Sequence, residues 1–170
     1  MTDNEKHKKL NFQKKILSYD TSNIMAKELK IEDWGEPYEV VKMAEMKITK
    51  SDQKGTKAAL ERIRKTGKIK NNNDETLFAA LSGESIKKLL NGDWTVAANI
   101  DQLFANAIEP WKFEFKPNKD NRDLKERKYL YSPINSAGKI VPVKITVFVY
   151  KKPENGTRIY SGEIIDHEIK

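Results

Sequence analysis

The 170-residue sequence contains no cysteine, so neither a disulfide nor a thiolate metal site is available to it. Histidine is nearly as scarce. His7 and His167 stand near opposite ends, without a ligand partner at helical or hairpin spacing, and a zinc centre is not expected. No other metal and no cofactor is implied. Apolar runs fall well short of the ~20 residues that a membrane-spanning helix needs. Residues 1–15 lack the apolar stretch of a secretory signal, so a cytoplasmic protein with no membrane partner is expected. Glycine-rich phosphate loops are absent, and no base is placed to complete a Ser/His/Asp triad.

Charge is what the chain has in excess. Lys and Arg number 32 against 25 Asp and Glu, a net of +7, which favours polyanionic partners through long-range attraction and counterion release. With 38% hydrophobic and 34% charged residues the composition is polar but foldable. One domain with an N-terminal extension is expected, divided into residues 1–73, basic and mostly helical, and residues 74–170.

Along the extension, residues 3–33 read as short helices and residues 38–49 as a strand. Residues 54–70 read as a basic helix with Ala59, Leu60 and Ile63 inward and Gly67 as its C-cap. Asn71-Asn72-Asn73-Asp74 reads as a loop. In the second part, Ser82 is placed to cap a helix over residues 83–90, with Ile86, Leu89 and Leu90 inward and Lys87 and Lys88 outward. Val96, Ile100, Leu103, Phe104 and Ala107 recur at helical spacing, which predicts one continuous amphipathic helix ended by Pro110. The period then changes. Trp111, Phe113 and Phe115 alternate with polar residues as in a strand, and further strands are expected over residues 124–132, 139–151 and 157–166. The fold class is α+β: N-terminal helices, then two amphipathic helices packed on an antiparallel β-meander of about four strands.

Alternation within a strand separates its faces. Val141, Val143, Ile145, Val147 and Val149 form an apolar row, whereas Lys144, Thr146, Phe148 and Tyr150 share the opposite face. Pairing Phe148 opposite Tyr160 would bring Arg158 and Tyr160 onto that second face; a one-residue slip would bring Ile159, Ser161 and Glu163 instead. Arg127, Tyr129 and Tyr131 share a face of the preceding strand. Basic and aromatic residues interleaved on a sheet suit RNA, because rings stack on bases and cations hold phosphates.

Three strings, Ile100-Asp101…Leu103-Phe104…Ala107, Lys144-Ile-Thr-Val147 and Arg158-Ile-Tyr-Ser-Gly-Glu163, resemble domains of phage and mobile-element polyvalent proteins. Those domains are grouped with the barnase/EndoU/colicin/RelE-like nuclease fold, and the resemblance spans roughly residues 76–166. Relatives often place a His before the Ile–Leu–Phe helix, where this chain has Gly92-Asp93-Trp94-Thr95. The resemblance implies an RNA-directed module acting in a bacterial host cell. A metal-independent ribonuclease is the catalytic form of that module. The alternative to it is a non-catalytic anti-defence (anti-CRISPR-like) inhibitor that binds a host nucleic-acid enzyme or its RNA, and a third reading is a structural accessory domain. For cleavage, Lys144 or Tyr160 is the expected base, Arg158 or Arg127 the phosphate clamp, and Thr146 the orienting hydroxyl. Nucleic-acid contacts are expected from Arg62, Arg64, Lys65, Lys87, Lys88, Arg127 and Tyr129.

Overall fold

The computed structural model describes residues 53–110, 115–136 and 138–165. The expectations for residues 3–33 and 38–49, and for Trp111 and Phe113, lie outside that set. The described chain is α+β, with helices preceding antiparallel sheets.

Helix α1 (Gln53–Thr66) buries Thr56, Ala59, Leu60 and Ile63 along one stripe and leaves its cations outward. It ends at Gly67, whose φ of 88° lies in the left-handed region that glycine enters without a Cβ penalty. Two short strands follow, β1 (Ile69–Lys70) and β2 (Phe78–Ala79), paired antiparallel. The asparagine run between them is a built turn. Asn71, buried, donates through its amide to the carbonyls of Phe104 (2.8 Å) and Ala107 (2.9 Å). Its Oδ1 accepts from the backbone of Asn73 (2.9 Å) and Asp74 (2.8 Å).

Helix α2 (Gly83–Leu90) opens with a reciprocal cap in which Ser82 Oγ accepts from Ser85 N–H and Ser85 Oγ accepts from Ser82 N–H. The single helix expected beyond it is divided into α3 (Trp94–Ala98) and α4 (Ile100–Asn106). Asn99 stands at the break with φ −116° and ψ 17°, and its amide donates back to the Thr95 carbonyl at 2.7 Å. An asparagine side chain that bonds the preceding turn competes with the backbone ladder, which accounts for the break. The apolar stripe survives it: Val96, Ile100, Leu103, Phe104 and Ala107 are all fully buried.

Strands β3 (Leu124–Ser136), β4 (Lys139–Tyr150) and β5 (Thr157–Ile164) form a three-stranded antiparallel sheet in that order. Phe115 lies outside these strands. Backbone bridges extend both edges: Ile108 exchanges two hydrogen bonds with Tyr131 of β3, and Ala80 bridges in parallel to Arg158 of β5.

One core joins all these parts. Val141, Val143, Ile145 and Val147 are buried against Leu89, Val96, Ile100, Leu103 and Phe104, whereas Val149, near the end of its strand, is half-buried. Burying each such side chain contributes ~1.5–3 kcal/mol. Leu60 and Ile63 of α1 belong to the same cluster, so α1 packs on the core formed by the later helices and the sheet.

Candidate nucleic-acid interface

The face of the sheet opposite the helices is polar, and the register decides its membership. On β3 and β4, Arg127 pairs with Phe148, Tyr129 with Thr146 and Tyr131 with Lys144, so these six share one side. On β5, Phe148 pairs with Arg158 rather than with Tyr160. Ile159 opposes Val147 and Ser161 opposes Thr146, which leaves Tyr160 as the extra residue of a β-bulge. The bulge reverses the parity of β5. Arg158 therefore shares the face of Phe148, and beyond the bulge so do Ser161 and Glu163, opposite Thr146 and Lys144. Both registers considered from sequence are thus partly realised, with Ile159 the exception, buried in the core.

Gly162 occupies the core side of the bulged strand. A Cβ there would stand 3.1 Å from Ile100 Cδ1 and 3.3 Å from Val96 Cγ1. The missing side chain lets α3 and α4 approach the sheet closely while the bulge turns Tyr160 outward.

A concavity of ≈ 520 Å³ opens on the polar face, and its lining includes Arg127, Tyr129, Lys144, Thr146, Phe148 and Tyr160. Its rim is completed by Ser161 and Glu163 of β5 and by Lys88, Asn91 and Gly92 at the end of α2. Within its lining the rings of Phe148 and Tyr160 stack, 4.2 Å between centroids and 16° from parallel. Cations flank the pair, with Arg127 5.4 Å from the Phe148 ring and Lys88 Nζ 5.2 Å from the Tyr160 ring. The Arg127 guanidinium also meets the ring of Phe115 at 5.6 Å.

Beneath them the face is more closed than an open sheet. Lys144 and Thr146 are each 8% exposed, and Tyr131 is fully buried. Lys144 Nζ pairs with Glu163 at 3.3 Å and lies 5.0 Å from the Tyr129 ring centroid. Burial, with Tyr129 and Glu163 adding to it, pushes the Tyr131 phenol far above its usual range. Tyr131 is consequently a neutral support and no proton acceptor near neutral pH.

Of the residues expected to act in cleavage, Lys144, Thr146, Tyr160 and Arg127 meet in the concavity and Arg158 does not. Arg158 Nε donates to the Asn155 carbonyl at 2.9 Å, and its guanidinium lies 5.3 Å from the Tyr150 ring. Of the two arginines expected as clamp, Arg127 is the one beside the aromatic pair. Of the expected nucleic-acid contacts, Arg127, Tyr129 and Lys88 line the concavity, whereas Lys87, Arg62, Arg64 and Lys65 are exposed on the helices and do not line it. Ser161 and Glu163 were expected there only under the slipped register, and Asn91 and Gly92 were not anticipated at the site, because no periodicity announces the reach of a helix end. Among the described residues no group of three His, Cys, Asp or Glu side chains is placed to hold a metal ion. Nor is any described helix long and apolar enough to cross a membrane.

No curated protein and no solved structure matches the chain significantly. The family model described as Large polyvalent protein-associated domain 3 matches residues 49–160, a span that includes α1 and ends within the bulge of β5. The match carries the phage and mobile-element part of the expectation and makes no assignment to a nuclease fold. The chain belongs to the Large polyvalent protein-associated domain 3 family, a module of phage and mobile-element polyvalent proteins.

Proposed function

We propose that the concavity is a binding site for single-stranded RNA, in which a base stacks at the Phe148–Tyr160 pair and the neighbouring phosphate meets Arg127 and Lys88. The observation that carries this reading is the stacked aromatic pair with a cation at each ring, inside a recess that three cations and one carboxylate line. Stacking tolerates any base and cations fix the backbone, which is the usual division of labour in single-strand binding. The hydroxyls of Thr146 and Ser161 and the Glu163 carboxylate, all around the recess, supply partners for a ribose 2′-hydroxyl.

Binding is better supported than cleavage. Lys144, one expected base, is held against Glu163, and Arg158, one expected clamp, is engaged elsewhere. A module that grips RNA without cutting it is one of the two forms of the anti-defence reading, whose inhibitor binds a host nucleic-acid enzyme or its RNA. The test is incubation of the purified protein with labelled total RNA in EDTA, followed by native and denaturing gels. A salt-sensitive shift with intact RNA is the expected result. Metal-independent fragments would instead make the domain a ribonuclease, and the absence of both shift and cleavage would end the RNA reading.

A further inference from the structure

The cations of the helical layer are not equivalent. Arg64 Nη1 lies 3.7 Å from the position a Cβ would take at Gly83, the first residue of α2. Gly83 and Lys87 are i and i+4, one above the other on a single helical stripe and ~6 Å apart along the axis. Lys88 follows directly, and its ammonium reaches the Tyr160 ring at 5.2 Å. Arg64, Lys87 and Lys88 therefore form a line from the end of α1, along α2, to the aromatic floor of the recess. All three are exposed. The single carboxylate of α2, Glu84, falls on the stripe of Lys88 one turn back, so the Gly83–Lys87 stripe carries no negative charge. Arg62 and Lys65 lie elsewhere. At 100° per residue, Arg62 points ~200° away from Arg64 around α1, and Lys65 shares the Arg62 stripe.

Resting on the RNA reading of the recess, we infer that the bound strand continues out of it along this line, its successive phosphates meeting Lys88, Lys87 and Arg64. The occupant is a single strand longer than the recess itself can hold. The line follows from the placement of Arg64 and Lys88 and from helix geometry at Lys87, and it divides the basic residues of α1 into one that serves the strand, Arg64, and others, Arg62 and Lys65, that do not.

The experiment compares fluorescein-labelled oligouridylates of about three and about ten nucleotides, lengths that bracket a small single-strand site. Wild-type protein should bind the longer one at least about tenfold tighter. Arg64→Glu with Lys87→Glu should remove most of that gain, leave the short oligonucleotide's affinity within about twofold, and reduce the salt slope by about 1.4, ~0.7 for each lost contact on a single strand. Arg62→Glu with Lys65→Glu should keep the gain. Urea midpoints verify that both doubles fold, and alanine pairs replace the glutamates if they do not. Equal losses in the two doubles would mean diffuse attraction and overturn the line, as would a wild-type affinity indifferent to length. Competition by polyglutamate as strong as that by RNA of equal charge would also overturn it, in favour of an acidic protein partner. Failure of the short oligonucleotide alone, with the longer one still sensitive to Arg64→Glu and Lys87→Glu, would reject the recess as a base site and leave the line standing.

Discussion

Phe148 and Tyr160 stack at 4.2 Å although the strand register pairs Phe148 with Arg158. The stack exists because the bulge inserts Tyr160 as an unpaired residue and lets its ring fall across to the neighbouring strand. Every reading of the recess depends on that displacement.

If the pair is the base platform, Tyr160→Ala should weaken binding of a short oligouridylate by ~1–3 kcal/mol, the usual contribution of one base–aromatic stack. Tyr160→Phe keeps the ring and should stay within about twofold of wild type, where twofold is ~0.4 kcal/mol. Fluorescence anisotropy titrations at one fixed salt concentration measure both. Equal losses from the two substitutions would assign the effect to the hydroxyl and reject stacking.

Gly162→Ala tests the packing that sets the bulge. Its new methyl would meet Ile100 and Val96 at 3.1 and 3.3 Å, on a strand paired with β4 along one edge and bridged by Ala80. Overpacking of this kind typically costs ~1–3 kcal/mol. The expected outcome is a lower urea midpoint with an unchanged m-value, accompanied by weaker RNA binding as the bulge shifts. Unchanged stability would mean that the helices yield to the methyl freely.

These two residues also mark how far the sequence could be read. Periodicity was enough for the capped helix over residues 83–90, for the buried stripe from Val96 to Ala107 and for the valine row of β4, because each is a local pattern with one burial solution. The break at Asn99 was illegible, since it arises from one side chain competing with the backbone while the apolar spacing continues undisturbed. The site was half legible. Lys144, Thr146 and Tyr160 do meet in the recess, but a bulge reverses face membership without any compositional sign, so Ser161 and Glu163 entered only through an alternative register, and the choice between Arg158 and Arg127 as the cation of the site stayed open.

Asn71 should prove as important to stability as a core apolar residue. Its side chain makes four hydrogen bonds and closes the end of α4 against the turn that joins β1 to β2. Asn71→Ala strands buried carbonyl and amide groups, each at ~1–3 kcal/mol, and a total loss of about 3 kcal/mol or more is expected in chemical denaturation. Asn71→Asp keeps the acceptor but sets a negative charge against two carbonyl oxygens, and it should be no better tolerated. A loss below about 1 kcal/mol would mean that water replaces the amide there.

Alkaline pH should destabilise the fold through Tyr131. Its phenol is raised above the ordinary value of 10.0, chiefly by burial, so above that pH the unfolded chain releases a proton that the folded chain retains. The unfolded state then binds fewer protons and stability falls as pH rises, by up to ~1.4 kcal/mol per unit from this group. Lys128 acts with the same sign. Burial lowers its pKa, but Glu109 and Glu126 together outweigh that and leave it above 10.5. Tyr131→Phe should flatten the decline in urea-derived stability between about pH 10 and 12. A decline as steep as wild type would place the alkaline sensitivity elsewhere.

The two arginines on the polar face give the sharpest separation of roles. Arg127 lies 5.6 Å from the Phe115 ring and 5.4 Å from the Phe148 ring, within the recess, whereas Arg158 is fastened to the Asn155 carbonyl beside Tyr150, outside it. Arg127→Ala should therefore reduce RNA affinity about tenfold or more, ~1.4 kcal/mol, and lower the salt slope by ~0.7, one phosphate contact on a single strand. Arg127→Lys keeps the charge but not the planar guanidinium that lies against the rings, so its affinity should fall between the two while its salt slope stays near wild type. Arg158→Ala should leave RNA binding unchanged and lower stability by roughly 0.5–1.5 kcal/mol, the usual net worth of a hydrogen bond such as the one to Asn155. The comparison needs only titrations at several salt concentrations and one denaturation curve per variant. If Arg158→Ala abolishes binding and Arg127→Ala spares it, the anion site lies at the Tyr150 end of the sheet, and the recess at Phe148 and Tyr160 is not where the strand is held.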